Sequence, residues 1–200
     1  MNRGHKQNLS LFVSLLAIAI LFENCGRLDN SGAPSQDSAS NNATPGTYSL
    51  LTSVAPEYLN HNDGTNYELG MAFTSSAAGS VAAIKFYKST LDVGTHIGHL
   101  WNQAGTELTN VTFTGETASG WQTQMLATPY ALTPNTQYVV TVNMCGDVFA
   151  WTDMGFATAI QVGPLTSIVG NNGLYGPMGA FPTLTYQSEN YFRDVVFVTP

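Results

Sequence analysis

The sequence predicts an all-β protein whose folded domain is a two-sheet antiparallel β-sandwich of jelly-roll type. Only 10% of its 200 residues are charged, whereas Thr, Ser, Asn and Gly are abundant, which is typical of β-rich exported modules. Eight or nine short segments with strand character follow one another at regular spacing, with no amphipathic helix of useful length among them. The 44% hydrophobic content is enough for one medium-sized domain with a core.

Residues 1–25 are predicted to be a lipoprotein-type signal peptide. Arg3 and Lys6 precede an almost unbroken apolar run, Leu11 to Phe22, which has the length of a signal-peptide core and is short for a membrane span. Cys25 follows this run and precedes the small residue Gly26, so the pattern resembles the bacterial lipobox, whose cysteine is diacylated and becomes the mature N-terminus. The expected location is a bacterial membrane, at the outer membrane or the cell surface.

Three alternatives to lipidation of Cys25 remain open at this point. Phe22 and Asn24 replace the leucine and the small residue of the usual box. The chain could therefore carry an ordinary signal peptide cut nearby, a free cysteine in a linker, or a disulfide from Cys25 to Cys145. The disulfide ranks last because it would tie a flexible segment to a strand end, and Cys145 is expected to be a buried free thiol.

Residues 26–47 are predicted to be a disordered linker, and residues 48–200 a single β-sandwich domain. The linker is made of Ser, Asn, Ala, Gly, Asp and Pro, which cannot bury enough apolar surface to offset the entropy of ordering. A flexible tether of roughly twenty residues has a reach of about 25 Å.

The domain's strands are predicted from alternating apolar residues and from glycine-marked turns. In order, they are residues 67–74, 81–88, 94–101, 107–114, 121–127, 137–144 and 190–198. Ile84 and Phe86 are expected to face inward, and Lys85 and Tyr87 outward. Between residues 145 and 181 glycines interrupt every run, so short strands and a long loop are expected there. The last strand is dense in β-branched and aromatic residues and is predicted to be central.

Three charged residues interrupt otherwise apolar strands: Glu68, Lys85 and Asp194. A buried charge is tolerated when it is paired. We therefore expect at least one partly buried ion pair among these three residues.

Five motifs, in order, resemble the family catalogued as domain of unknown function 4082. They are residues 67–73, 84–88, 94–101, 116–122 and 190–197, so the resemblance covers nearly everything after Tyr48. It implies a β-sandwich module of bacterial exported proteins, commonly found beside immunoglobulin-like, fibronectin-like or carbohydrate-active domains. No activity is settled for that family, so the resemblance implies fold and location only.

The charge balance argues against nucleic acid as a partner. The chain carries a net charge of −7. After Cys25, four basic residues stand against twelve acidic ones, 4 − 12 = −8. Binding to a phosphate backbone needs clustered Lys and Arg, which the sequence lacks.

The sequence predicts no catalytic residues and therefore no enzyme. There is no Gly-x-Ser-x-Gly elbow, and Cys145 has no histidine near it in the sequence. His96 and His99 lie three residues apart, but on a strand that spacing sends the two rings to opposite faces, which argues against zinc. A structural calcium ion is the one cofactor considered, with Asp63 and Glu68 as ligands near the loop of residues 60–64; an ordinary Asn-Asp-Gly turn is the alternative.

The candidate ligand-binding residues are aromatic and histidine side chains. A pyranose ring stacks its apolar face on an aromatic ring, while polar side chains bind its hydroxyls. The set comprises His96, His99, Trp101, Trp121, Trp151 and Tyr175. Trp101 and Trp121 could instead fill the core. His96, Trp151 and Tyr175 are expected to share one loop edge with the glycine-rich segment of residues 163–179, taken as the longest end loop.

Two functions follow from these expectations. The first is a non-catalytic cell-envelope module that binds carbohydrate or another surface polymer through loop aromatics. The second is a structural or adhesion lipoprotein that contacts protein partners and has no small-ligand site. The sequence does not indicate an oligomeric state.

Overall fold

A computed structural model of the protein describes residues 46–200. The predicted signal peptide, Cys25 and all but the last two residues of the predicted linker lie outside the described residues. The described fold is an all-β sandwich of antiparallel sheets, which confirms the predicted fold class. Residues 46–200 contain no helix of the length and hydrophobicity that crossing a membrane requires.

The first sheet has four strands in the order β1, β14, β4, β7. Their bounds are Thr47–Tyr48 for β1, Gly79–Lys88 for β4, Gly120–Leu132 for β7 and Arg193–Val198 for β14. The final strand lies between β1 and β4, so it is central as predicted, although it begins at Arg193 and not at Asn190.

The second sheet is larger and is built around β3. Its strands are β3 (Tyr67–Ser75), β5 (Ile97–Asn102), β6 (Glu107–Thr112), β8 (Gln137–Asn143), β10 (Gln161–Val162), β11 (Leu165–Ser167), β12 (Leu174–Pro177) and β13 (Leu184–Thr185). The strand order is β10, β11, β3, β8, β5, β6. On the free side of β3, β11 pairs with residues 73–75 and β12 pairs with residues 67–70, while β13 extends from β12.

Two further strands, β2 (Tyr58–Asn62) and β9 (Val148–Trp151), form a separate two-stranded sheet. The sequence pattern did not predict β2, because its polar residues and the following Asp63-Gly64 indicate a turn. Phe149 of β9 joins Leu69, Met144 and Tyr191 in a small apolar cluster beside the main core. This sheet therefore packs at one end of β3.

The main core lies between the two large sheets and follows the predicted alternation. Ile84 and Phe86 are fully buried there with Phe73 and Val195. The outer face of the second sheet is buried as well, because Trp101 and its neighbours pack beneath Ile168, Leu174 and Phe181. The glycines of residues 163–179 led us to expect a free end loop there, and that prediction is wrong. These residues instead supply β11 and β12 and cover the second sheet.

The prediction of an ion pair among Glu68, Lys85 and Asp194 is wrong. All three side chains are buried, but among the described residues none of them has an opposite charge within 4 Å. Lys85 and Asp194 are direct neighbours across β4 and β14. Backbone N–H groups satisfy the Asp194 carboxylate instead, and the Lys85 ammonium donates to Thr52 Oγ1 at 3.2 Å and lies 4.7 Å from the Trp121 ring centroid.

Candidate functional site

A cavity of about 370 Å³ opens where the β2–β9 sheet meets the β3–β12 edge and the segment of residues 186–191. Its lining is mostly aromatic and consists of His61, Asp63, Tyr67, Leu69, Phe149, Trp151, Tyr175, Tyr186, Glu189 and Tyr191. We call this cavity the aromatic cleft. Its size and its apolar walls with a few polar groups are typical of small-molecule sites.

Strand pairing fixes the walls of the cleft. His61 and Phe149 are cross-strand partners in the small sheet, and their ring centroids are 4.9 Å apart. Tyr67 and Tyr175, on the adjacent strands β3 and β12, meet edge to face at 5.6 Å. Such contacts hold aromatic side chains in defined orientations. The cleft is therefore preformed by secondary structure on three sides.

A second hollow of about 410 Å³ adjoins the cleft and shares two of its residues, His61 and Trp151. Its lining is Glu57, Tyr58, Leu59, Asn60, His61 and Trp151. Tyr58 stacks on Trp151 with ring centroids 4.7 Å apart and an interplanar angle of 23°. The Trp151 ring thus lies between two neighbouring hollows.

Two carboxylates lie in the cleft wall. Asp63 accepts a hydrogen bond from the Tyr67 hydroxyl at 2.9 Å, and this bond raises the pKa of Tyr67 above its ordinary value. Glu189 is only 7% exposed, and burial raises the pKa of its carboxyl, with the nearby Asp153 acting in the same direction. Burial and the neighbouring Glu189 likewise raise the pKa of Tyr191.

Two further features of the cleft suggest that it is built for a ligand. The indole Nε1 of Trp151 is buried and has no hydrogen-bond partner in the protein. Tyr186 and Glu189 flank a turn closed by a backbone hydrogen bond of 3.0 Å, whose central residues, Gln187 and Ser188, both have positive φ. Unpaired buried donors and left-handed residues other than glycine both carry an energetic cost and are more frequent at functional sites.

The structure brings three of the predicted site residues together in the cleft: Asp63, Trp151 and Tyr175. Trp101 is buried on the outer face of the second sheet, where its Nε1 donates to Thr141 Oγ1 at 2.9 Å. Trp121 packs against the main core and meets Tyr87 edge to face at 5.7 Å. The three tryptophans therefore form no common platform.

His96 and His99 lie outside the cleft and have different partners. The His96 ring is fully buried between Asp92 Oδ1, 3.0 Å from Nε2, and Glu116 Oε1, 2.9 Å from Nδ1. His99 contacts Glu107 at 3.2 Å and stacks on Trp101. His96 therefore does not share an accessible edge with Trp151 and Tyr175, contrary to expectation.

Asp63 and Glu68, the two residues considered for calcium, have separate partners. Asp63 lies in a turn, where its Oδ1 also accepts from the Thr65 backbone N–H at 3.1 Å. The Glu68 carboxylate is buried and accepts from the Thr141 hydroxyl and, at 3.1 Å, from the Gly179 N–H. In residues 46–200 no group of three or more His, Cys, Asp and Glu side chains is arranged to hold a metal ion.

Sequence reasoning missed most of the cleft. The missed residues are His61, Tyr67, Leu69, Phe149, Tyr186, Glu189 and Tyr191. They come from three separate parts of the chain, around residues 61–69, 149–151 and 186–191. Their one shared signal is a local concentration of aromatic residues, which also occurs in core strands and therefore does not identify a site by itself.

Residues 53–193 match the family model described as Domain of unknown function (DUF4082). The chain belongs to the DUF4082 family. The match spans most of the described domain and includes every residue of the aromatic cleft. No curated protein matches this DUF4082 chain.

Proposed function

We propose that this DUF4082 protein is a non-catalytic module of the bacterial cell envelope that binds carbohydrate in the aromatic cleft. The observation that carries the proposal is the cleft itself, in which six aromatic side chains of Tyr, Trp and Phe and two carboxylates line one cavity. Sugars combine apolar C–H faces with hydroxyls, and both features are complemented by such a lining.

Each component of the cleft can meet a different part of a sugar. Tyr58 already covers one face of the Trp151 ring. The opposite face of Trp151 and the rings of Tyr175 and the exposed Tyr186 are therefore the surfaces that can stack on the C–H face of a pyranose. The Asp63 and Glu189 carboxylates can accept hydrogen bonds from hydroxyls. The second hollow beyond Trp151 gives space for a neighbouring sugar, which favours an oligomer or polymer over a single unit.

We further propose that the domain is exported and anchored by a lipid on Cys25. The support is the apolar run of residues 11–22 that ends next to this cysteine, together with the polar linker that follows. An anchored domain on a tether can reach polymers at the cell surface.

Glycan-array binding by the full-length protein in detergent, with and without calcium, tests the function, and retention on the best polymer measures its strength. Tyr186→Ala is the sharpest variant because Tyr186 lines the cleft and is 51% exposed. We expect retention to weaken about fivefold with a nearly unchanged melting temperature, since losing one stacked aromatic costs on the order of 1 kcal/mol. Trp151→Ala and Tyr175→Ala should weaken retention at least as much.

Leu184→Ala is the matched control, because Leu184 is equally exposed, lies two residues away and does not line the cleft. It should leave retention unchanged. No retained glycan with the parent protein would contradict the proposal and favour the alternative of a structural or adhesion lipoprotein that contacts proteins. Release of new reducing ends from a bound polymer would instead show that the protein hydrolyses it, and loss of that release in Asp63→Asn and Glu189→Gln would assign the reaction to these two carboxylates.

A further inference from the structure

The charge distribution around the cleft is one-sided. Three carboxylates border the two hollows, those of Glu57, Asp63 and Glu189, and no Lys or Arg lines either one. Among the described residues none of these carboxylates has an opposite charge within 4 Å. The negative field of the cleft is therefore not neutralised by the protein's own Lys and Arg side chains.

The basic residues of the domain are all engaged elsewhere. Lys88 forms an ion pair of 2.7 Å with Glu116, and Lys85 lies over the Trp121 ring. Arg193 is fully buried and donates to the backbone carbonyls of Val142 and Tyr191. Apart from the imidazole of His61, which lines both hollows and acts to lower the pKa of Glu189, the protein places no cationic side chain in the lining, so a further cation would have to come from a ligand.

Among these carboxylates, the charge of Glu189 is the most costly to leave uncompensated, because its side chain is more than nine-tenths buried. The lining around it includes the apolar Leu69 and Phe149, and the Tyr191 hydroxyl is its one side-chain hydrogen-bond donor among the described residues. A desolvated carboxylate is costly unless a positive group or several donors approach it. The aromatic faces that surround it attract cations as well, through their ring quadrupoles.

We infer that the cleft selects saccharides that carry protonated amines, as in oligomers of glucosamine. This inference rests on the proposed carbohydrate binding and specifies its ligand class. The ammonium group binds the Glu189 and Asp63 carboxylates, and the sugar's C–H face stacks on the aromatic wall. Acidic sugars are repelled, and N-acetylated sugars bind without the charge contribution.

The presence of two adjoining hollows distinguishes this ligand from a small quaternary ammonium ion. Aromatic walls with carboxylates would also suit such an ion. A small ion would occupy only one of the two hollows that share His61 and Trp151, however, and would leave the other one empty. The second hollow on the other side of Trp151 also has a carboxylate, Glu57, in its wall, which suits the next amino sugar of an oligomer.

Isothermal titration calorimetry on the full-length protein in detergent tests the inference with four probes of defined chemistry. They are tetramers of glucosamine, of N-acetylglucosamine and of glucose, and tetramethylammonium, each at about pH 6, where amines are protonated. We expect the glucosamine tetramer to bind at least about tenfold more tightly than the other three, because hydrogen bonds to charged groups exceed neutral ones by about that factor. Added salt should reduce this preference.

Glu189→Gln should remove most of the preference for glucosamine, because it should weaken binding of the glucosamine tetramer by a larger factor than binding of the N-acetylated tetramer. Asp63→Asn, at an exposed position, provides a second variant if Glu189→Gln fails to fold, and it should reduce the preference in the same direction. Glu107→Gln removes the same charge from β6, outside the cleft, and should have no effect.

The outcomes separate the inference from the proposed function. Equal or tighter binding of the N-acetylated or glucose tetramer overturns the inference while the proposed carbohydrate binding stands. Tighter binding of tetramethylammonium than of any tetramer also overturns it, in favour of a small-cation site. Failure of all three tetramers to bind overturns the inference, and the glycan array then decides whether the proposed carbohydrate binding stands.

Discussion

Glu68 and Asp194 are buried carboxylates that rely on different kinds of donors. Asp194 accepts three backbone hydrogen bonds, from the N–H groups of Leu50, Leu51 and Val195, at 2.8 to 3.1 Å. Glu68 accepts one bond from the Thr141 hydroxyl and one from the Gly179 N–H. A hydroxyl can reverse its role from donor to acceptor, whereas a backbone N–H cannot. The two sites should therefore respond differently when the carboxylate is replaced by an amide.

Glu68→Gln should stabilise the protein increasingly as the pH rises. Burial raises the pKa of Glu68 above 4.5, so the folded state binds a proton more readily than the unfolded chain. A group with a raised carboxyl pKa lowers the free energy of unfolding progressively as the pH rises from 4.5 through the folded pKa. The glutamine removes this pH-dependent penalty; its oxygen accepts from Gly179 and its amide can donate to Thr141 Oγ1, although the Thr141 hydroxyl then loses Glu68 as its acceptor, which lowers stability by an amount that does not change with pH. Urea unfolding of both proteins at several pH values measures the difference.

Asp194→Asn is the contrasting variant. Its single oxygen cannot accept all three N–H groups, and its amide would face a donor, so we expect a loss of about 1–3 kcal/mol at neutral pH. If the two amide variants had equal effects, or if the Glu68→Gln difference did not change with pH, the assigned donors would be wrong.

At the scale of elements, the backbone groups on the free side of β3 form hydrogen bonds with a side chain as well as with strands. β11 and β12 pair with the two ends of β3 and leave Ala72 between them. The fully buried Asn172 fills this gap: its Oδ1 accepts from the Ala72 N–H at 2.8 Å and its Nδ2 donates to the Ala72 carbonyl at 2.9 Å. Asn172 thus pairs with β3 as a strand residue would.

Asn172→Ala should detach this edge locally. The substitution leaves the N–H groups of Ala72 and Gly173 without their acceptor, at about 1–3 kcal/mol for each buried donor. Hydrogen exchange followed by mass spectrometry should show faster exchange in residues 168–177 than in β4 and β14. Asn171→Ala, at an exposed neighbouring position, is the control and should not change exchange. Uniform acceleration across all strands would contradict a local role.

β12 also carries Tyr175 into the cleft, so the edge of β3 links stability with binding. Gly173 has φ of +74°, and a Cβ there would lie 2.2 Å from the Glu189 carbonyl oxygen. The residue before β12 therefore packs directly on the backbone that presents Glu189. The spacing between one wall of the cleft and this carboxylate depends on glycine at this position.

At the scale of the whole molecule, the cleft joins residues that are far apart in the chain. His61, Phe149 and Glu189 meet because β2 pairs with β9 and because Thr152 and Asn190 form an isolated bridge. The aromatic cleft is thus a product of the assembled sandwich and would not be retained by a fragment that lacks one of these segments.

The full chain is proposed to be anchored to the membrane by a lipid on Cys25. If Cys25 is the acylated N-terminus, metabolic labelling with a clickable fatty acid should label the protein in bacterial cells and should be lost in Cys25→Ala. Cys145→Ala is the matched control, because Cys145 is a free cysteine in the folded domain and should not accept the label. Equal labelling of the parent and Cys25→Ala would contradict the lipid anchor.

The local sequence pattern was sufficient to predict much of the strand architecture. Alternating apolar residues and turn glycines predicted the main strands from β3 to β8 and the central position of β14, because side-chain alternation is a local property of an extended chain. β2 was missed, since its polar residues form a strand only against Phe149 and Trp151 of β9. Tertiary pairing overrode the local turn signal there.

The sequence by itself determined the all-β class, the order of the main strands, the family resemblance and the acidic character of the chain. Only the tertiary structure decided which aromatic and acidic residues share a cavity. All three tryptophans were equally plausible ligand-binding residues from the sequence. Trp101 and Trp121 do not line the cleft, whereas Trp151 lines both hollows. The physical reason is that the local sequence decides which side chains lie on each face of a strand. Which segments cover that face depends on residues that can lie a hundred positions away, as Asn172 does from Ala72.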